Sequence, residues 1–154
     1  MAKTTDKLLT VKGQLSRQEK PIEVVIGNVI DPANFHMVFK SEMEGITRME
    51  KVLGEKVPGH NQGLKHLKVG KLIAVKSEDD KLWFRARITD FYNVMDGNIE
   101  VEVFLLDHGC TLRGIKYPES VRDLPSIFEK LEPFAFKFKL DGNFFVRFIK
   151  FLSY

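Results

Sequence analysis

Residues 81–110 have the sequence KLWFRARITDFYNVMDGNIEVEVFLLDHGC, which predicts two β-strands joined by a tight turn. The stretch is rich in β-branched and aromatic side chains, and its second half begins with strict alternation of apolar and charged residues, the pattern of a half-buried strand. Between the two runs lies Asp96-Gly97, which supplies the positive φ angles of a two-residue hairpin turn. We therefore predict an antiparallel pair of strands at 82–90 and 98–106.

Further short strands are predicted on either side of this pair. They fall near residues 71–76 and 111–115, and turn signals separate them from their neighbours. Short strands at this spacing are typical of a small barrel or sandwich rather than of βαβ units. After them, residues 120–130 indicate a helical turn around Leu124-Pro125, and the alternation in 134–140 predicts a last strand.

The segment before the barrel predicts a strand pair followed by a helix. β-Branched residues dominate 22–30, a turn cluster follows at 31–34, and an apolar run resumes at 35–39. In residues 41–55 apolar side chains recur at three- and four-residue intervals, which is the periodicity of an amphipathic helix. This helix opens with the Ser-x-x-Glu spacing of an N-terminal capping box at Ser41.

Alternation along the second barrel strand separates its side chains onto two faces. Trp83, Arg85 and Arg87 share one face. The other face carries Phe84, Ala86 and Ile88. Asp107 directly follows the third strand, and partly buried arginines and carboxylates generally occur in pairs. We therefore predict a structural salt bridge between Arg85 and Asp107.

Composition limits the classes of protein to consider. A chain of 154 residues fits one domain. The net charge of +3, from 24 basic and 21 acidic residues, is too small for the field of a dedicated DNA-binding domain. The lone Cys110 excludes an internal disulfide and fits a reducing compartment. Because no long uninterrupted apolar window occurs, we expect an intracellular protein without a membrane partner.

Neither catalysis nor a metal site is predicted. His108 and Cys110 resemble a cysteine nucleophile with its base, but no third orienting group and no Gly-rich oxyanion loop accompany them. The other histidines and the nearby acids are too dispersed to share a metal ion: His36, His60, His66, Glu23, Asp31, Glu42 and Glu44. We therefore expect no catalytic residue, no metal and no cofactor.

Three stretches occur in a fixed order and together carry a family resemblance. They are Gly70–Val75, Trp83–Ile88 and Leu105–Cys110, and they are followed by Val121–Pro125. Jointly they resemble the Tudor domain, whose strands carry Trp-Tyr-Arg-Ala and Asp-Tyr-Gly-Asn stretches. The strand pair and helix before them resemble the staphylococcal-nuclease-like half of the extended Tudor domains found in germline small-RNA proteins.

The resemblance implies a mostly β fold. It consists of an SH3-like Tudor barrel of four or five strands, a linker helix and a partial nuclease-like, OB-type β-subdomain. The implied boundaries, in chain order, are a flexible leader at 1–20, an extended Tudor domain at 21–142 and an apolar tail at 143–154 of uncertain role. Within the domain, the nuclease-like part comprises 21–40 plus 133–142, the linker helix 41–56 and the Tudor core 66–125.

The resemblance also implies a binding site for symmetric dimethylarginine, built from four aromatic side chains and one asparagine. The first aromatic position falls near Lys76 or Ser77, which have no aromatic face. The other positions are occupied by Phe84, Leu105, His108 and, in place of the asparagine, Cys110. Only Phe84 is a strong aromatic wall. The cage is therefore degenerate, and weak or absent binding of dimethylarginine is expected.

The function implied is that of a non-enzymatic scaffold. Proteins of this kind assemble the cytoplasmic germ granules that handle Piwi-interacting RNA and silence transposons in the germline, including during spermatogenesis. The implied partners are proteins, among them those with arginine-rich tails of the Piwi type.

An RNA-binding surface made of basic and aromatic side chains is the alternative. Acidic residues interleave with the basic ones and weaken that hypothesis: Glu78, Asp79, Asp80, Glu100 and Glu102.

Overall fold

The computed structural model describes residues 22–31, 34–57, 67–79, 81–93 and 98–138. The predicted leader, the connection after the helix, the Asp96-Gly97 turn and the apolar tail lie outside these residues. Within them the chain forms two antiparallel sheets and one long helix, which confirms the mostly β fold predicted from the sequence.

The larger sheet has five strands in the spatial order β6-β5-β4-β3-β7. The strands are β3 (Leu72–Lys76), β4 (Trp83–Asn93), β5 (Ile99–Leu105), β6 (Thr111–Tyr117) and β7 (Val121–Asp123). β4 and β5 pair antiparallel, as the sequence predicts. The inward side chains form one core, because alternation turns them to a common side: Ile73, Val75, Phe84, Ala86, Ile88, Val101, Val103, Leu105, Ile115 and Val121.

The smaller sheet joins distant parts of the chain. It has the order β1-β2-β8, with β1 at Val24–Asp31, β2 at Asn34–Phe39 and β8 at Phe136–Phe138. β8 pairs antiparallel with β2, so the chain returns to this sheet after completing the larger one. The last strand is predicted at 134–140, and its described part spans three residues.

Helix α1 (Met43–Lys56) connects the two sheets, after a 3₁₀ turn at Lys40–Glu42. The capping box predicted at Ser41 is wrong, because that residue lies inside the 3₁₀ turn, and no side chain caps the helix. Leu53 of the helix and Val57, which directly follows the helix, are buried in one apolar cluster on the outer face of the larger sheet. Ala74, Leu124 and Phe128 complete this second apolar core, and Phe128 belongs to the short helix α2 (Ser126–Glu129).

The two sheets meet at the turn that follows β5. The backbone N–H of Asn28 donates to the carbonyl of Gly109 at 2.7 Å, and that of Ala135 donates to the carbonyl of Leu106 at 3.2 Å. Gly109 has a φ of +66°, and a Cβ there would lie 2.6 Å from the Cβ of His36. This close approach requires glycine, and it fixes the 106–110 turn between the sheets.

Candidate functional site

Arg85 and Asp107 form a buried pair beneath the turn. Their side chains are 0% and 2% exposed, and the guanidinium meets the carboxylate through two bonds of 2.9 and 2.5 Å. Arg85 donates further to the carbonyls of Phe128, Leu131 and Glu132, at 2.9, 2.9 and 3.1 Å.

These contacts give an acceptor to each of the five N–H donors of the guanidinium. Asp107 also accepts the backbone N–H of Phe134 at 3.2 Å. The pair therefore fixes the segment that leads from α2 to β8 against the larger sheet, and it is more deeply buried than the sequence suggested.

The predicted cage residues cluster where β4, β5 and the turn meet. Phe84 and Leu105 are 7% and 4% exposed and belong to the barrel core, and the half-buried Cys110 packs against that core. The His108 ring stands edge-on to Phe84, with centroids 5.3 Å apart and planes at 84°. The structure thus brings four of the predicted positions together, but two of their side chains are core residues rather than open walls.

Lys76 does not extend this cluster. It lies directly opposite Trp83 in the β3–β4 pairing, whereas Val75 is the residue opposite Phe84. Because neighbours opposite one another share a face, the side chain of Lys76 is on the outer face with Trp83. Ser77 follows the strand, and its N–H bonds to the carbonyl of Leu82.

Glu50 is a site residue that sequence reasoning missed. It projects from α1, its side chain is 10% exposed, and its Oε1 lies 2.5 Å from Nε2 of His108. A signal was present in the sequence, because Glu50 lies four residues after Ile46 and three before Leu53 and so belongs to the buried stripe of the helix. A charged residue on such a stripe needs a partner, which His108 provides.

Two neighbouring groups have shifted proton affinities. Burial raises the pKa of the Cys110 thiol. Burial, and secondarily the charge of Lys137, lower the pKa of His36. The His36 ring packs 4.7 Å from that of Phe104, and its Nδ1 is buried without a hydrogen-bond partner among the described residues.

The described ranges contain neither a cluster of metal ligands nor a helix that could span a membrane. No group of three or more histidine, cysteine or acidic side chains there converges to hold a metal ion. In the same part of the chain, no helix has the length and apolarity to cross a bilayer.

A family model described as "Tudor domain" matches residues 16–142, which is most of the chain. The chain belongs to the Tudor domain family. This confirms the family predicted from the sequence. A comparison with curated protein sequences finds no significant match.

Solved structures place the Tudor chain among extended Tudor domains. The extended Tudor domain of BmPAPI shares 23% identity and a TM-score of 0.66, over 79% of this chain and 67% of that one. The extended Tudor domain of Drosophila melanogaster Papi shares 20% identity and a TM-score of 0.64, over 77% of this chain and 61% of that one. A structure of Tudor bound to methylated Aubergine shares 21% identity and a TM-score of 0.60, over 74% and 64%. At these identities the likeness establishes the fold, and the chain spans about two thirds of each neighbour.

Two of these neighbouring proteins were also solved with ligands. The BmPAPI domain was also solved with symmetric dimethylarginine. A mutant Papi domain was solved with an unmethylated N-terminal Piwi peptide, in a structure that shares 21% identity and a TM-score of 0.62 over 77% of this chain. Tudor domains are generally binding modules, and these relatives bind arginine-bearing peptides.

Proposed function

We propose that this chain is a non-enzymatic protein–protein interaction module whose degenerate cage binds symmetric dimethylarginine weakly or not at all. The packing at the cage carries the proposal: Phe84 and Leu105 lie in the barrel core, and the His108 ring is bonded to Glu50. A methylated guanidinium needs open aromatic faces around it. The Phe84 ring, already in edge contact with His108, supplies little such surface.

The proposed partners are proteins with arginine-rich tails. The solved neighbours support this assignment, since the Tudor and Papi structures contain peptides of Aubergine and Piwi. By the same family relation we propose a role in germline transposon silencing through Piwi-interacting RNA, in cytoplasmic germ granules.

Absence of catalysis is part of the proposal. A cysteine nucleophile needs a lowered thiol pKa and an adjacent base. Burial raises the pKa of Cys110, and the His108 ring bonds to Glu50 on another element. Both observations run against a thiolate–imidazole pair.

RNA binding is less well supported by the surface. Four basic side chains of the described surface are paired with carboxylates: Lys40 with Glu23, Lys71 with Asp123, Arg113 with Glu102 and Lys116 with Glu78. A salt titration against single-stranded RNA measures this alternative, because phosphate binding weakens steeply as salt rises. We expect no strong, salt-dependent binding.

Calorimetry with a peptide bearing symmetric dimethylarginine tests the state of the cage. We expect a dissociation constant above about 100 µM, since most of the cation–π contacts are missing. The combined variant His108→Tyr and Cys110→Asn restores an aromatic wall and the amide at the two cage positions outside the fully buried core, and it should tighten binding; Leu105 is left unchanged because it is buried in that core. A low-micromolar constant for the unaltered chain, with preference over the unmodified peptide, would contradict the degenerate cage.

A further inference from the structure

Arg122 holds its guanidinium in a fixed position on the outer face of the larger sheet. Its Nη1 donates to the carbonyls of Pro118, Glu119 and Val121, at 2.6, 3.3 and 2.8 Å. Its Cζ lies 6.0 Å from the centroid of the Trp83 ring, which is within the range of a cation–π contact. These contacts position the guanidinium before any partner binds.

The remaining donors of this guanidinium lie along its Nε–Nη2 edge. No acceptor in the described part of the chain meets Nε or Nη2 of Arg122. Arg85 uses the same edge to bind Asp107, with Nε and Nη2 donating to the two carboxylate oxygens at 2.9 and 2.5 Å. In both arginines Nη1 donates to backbone carbonyls. Arg122 therefore repeats the arrangement of the buried pair without its carboxylate.

Lys76 adds a second cation to the same face. It lies opposite Trp83 in the β3–β4 pairing, and Arg122 lies opposite Ala74, two residues before Lys76 on β3. Because alternate residues of a strand share a face, both cations are on the side of the sheet that carries Trp83. Lys76 forms no ion pair with any residue that the structure describes.

We propose that Arg122, Lys76 and Trp83 form a second interaction surface, which binds a carboxylate of an acidic segment in a partner protein. The cage positions Phe84 and Leu105 belong to the barrel core on the opposite face of the sheet. This surface is therefore separate from the degenerate cage. It adds a contact to the proposed interaction module and does not depend on what the cage binds.

The chemistry of the open edge matches a carboxylate. Nε and Nη2 are two parallel donors with the spacing of the two carboxylate oxygens, and such charge-assisted bidentate bonds are stronger than bonds between neutral groups. Because the loop carbonyls and the Trp83 ring already fix the guanidinium, binding immobilises little additional side-chain freedom. A carboxylate therefore gains the bonds without the full entropic cost of ordering the arginine.

The local charge favours an acidic protein segment over a nucleic acid. Exposed acids flank the two cations in the sequence: Glu78 lies two positions after Lys76, and Glu119 lies three positions before Arg122. A continuous run of phosphates would meet these acids as well as the cations. An acidic side chain, in contrast, needs only the open edge of the guanidinium and the adjacent ammonium.

The test measures binding of a fluorescently labelled peptide of glycine and alanine that contains several glutamates, by fluorescence anisotropy with the full chain. The same peptide with glutamines reports binding that needs no carboxylate, and a labelled single-stranded RNA reports binding of phosphate. The variants are Arg122→Gln, Arg122→Lys and Lys76→Gln. Arg113→Gln is the matched control, because it removes the same charge from an exposed arginine that is paired with Glu102.

We expect the unaltered chain and Arg113→Gln to bind the glutamate peptide at least about tenfold more tightly than the glutamine peptide, the scale of a hydrogen bond to a charged group. Arg122→Gln should abolish that preference. Arg122→Lys should restore little of it, because an ammonium keeps the charge but lacks the planar pair of donors. Lys76→Gln leaves the loop contacts of Arg122 in place and should weaken binding by a smaller factor.

A spectroscopic measurement on the unaltered chain requires no variant to fold. Nuclear magnetic resonance resolves the Nε–H groups of individual arginines. The glutamate peptide should shift the Nε–H signal of Arg122 and leave that of the buried Arg85 unchanged. Thermal unfolding shows in addition which variants are folded at the temperature of the binding assay.

Other outcomes overturn the proposal. Equal binding of the glutamate and glutamine peptides, an unshifted Arg122 signal, or a preference that persists in Arg122→Gln would show that this arginine binds no carboxylate. Tighter binding of the RNA than of the glutamate peptide, lost in Arg122→Gln, would assign the surface to phosphate and refute the acidic protein segment. None of these results bears on the degenerate cage, which calorimetry with the methylated peptide tests separately.

Discussion

At the scale of single residues, the most consequential feature is the complete satisfaction of one buried guanidinium. Arg85 has five acceptors, and only Asp107 among them carries a charge. Removing that charge leaves three neutral carbonyls around a buried cation. The energetic penalty of such a change comes from the group that remains, rather than from the contact that is lost.

We predict that Asp107→Ala lowers the free energy of unfolding by about 3–5 kcal/mol, the usual loss when one partner of a buried pair is removed. Urea unfolding measures it. Asp123→Ala is the control, because the Lys71–Asp123 pair is about one-third exposed and should contribute no more than about 1 kcal/mol. Equal losses of unfolding free energy in the two variants would show that burial does not increase the contribution of the Arg85–Asp107 pair to stability.

A second residue-scale prediction concerns pH and His36. Its folded-state pKa is lowered, chiefly by burial, so the unfolded chain binds the proton more readily. The contribution of His36 to the free energy of unfolding is therefore fully present above its unfolded pKa of about 6.5. It decreases as the pH drops below that value. Urea midpoints measured between about pH 7.5 and 5.5 should decrease with falling pH.

His36→Phe is the matched variant for that experiment. It keeps a ring against Phe104 and removes the titrating group. We expect a flatter dependence of the midpoint on pH in the variant. The same slope in both proteins would assign the pH dependence to other groups.

Residue identity alone predicted part of the candidate site and missed the rest for a physical reason. The Arg85–Asp107 pair could be inferred, because both residues belong to strands whose alternation defines their faces. Glu50 could not be assigned to the cage, because its bond to His108 crosses 58 positions and depends on how α1 packs on the sheet. Periodicity places a residue on a helix face but does not say what that face meets.

At the scale of elements, local patterns predicted the strands and helix well and their ends less well. The β4–β5 pairing follows from alternation around a turn signal, and α1 follows from its apolar periodicity. The start of α1 was missed because a 3₁₀ turn takes up residues 40–42. Such turns at helix ends depend on the geometry of the incoming strand, which the capping pattern does not contain.

Gly54→Ala should stabilise α1 by about 0.5–1 kcal/mol, since glycine is a poor residue in a helix interior. A Cβ at this position would lie 4.0 Å from Cδ1 of Trp83, which is an ordinary packing distance. Thermal unfolding measures the gain. Gly109→Ala is the opposing control, because its positive φ and its close approach to His36 make a side chain strained there. A loss of stability in Gly54→Ala would show that the helix cannot accept a methyl against Trp83.

At the scale of the whole molecule, the turn at 106–110 is a junction between the two sheets in the described part of the chain. The chain leaves the smaller sheet through α1, builds the larger sheet and returns in β8 to pair with β2. The residues alone gave no pairing partner for the last strand, since pairing over so long a separation has no local signal; the resemblance grouped 133–142 with 21–40 without naming the strand it pairs with. Besides the covalent links, the 106–110 turn joins the sheets through backbone bonds to Asn28 and Ala135.

Gly27→Ala tests whether this junction is a separable unit. A Cβ on Gly27 would collide with the carbonyl oxygens of His108 and Gly109, and backbone atoms held in a turn cannot move aside as a flexible side chain can. Overpacking of this kind costs about 1–3 kcal/mol. We therefore expect the Asn28 N–H, which bonds to the Gly109 carbonyl, to exchange with solvent about tenfold to a hundredfold faster, while the Ile88 N–H in the larger sheet keeps its protection.

Gly114→Ala is the control, because its Cβ would have room, 3.8 Å from Glu100, and its strain would fall on β6 instead. Uniformly faster exchange across both sheets in Gly27→Ala would mean that the two sheets unfold as one cooperative unit, with no separable junction between them.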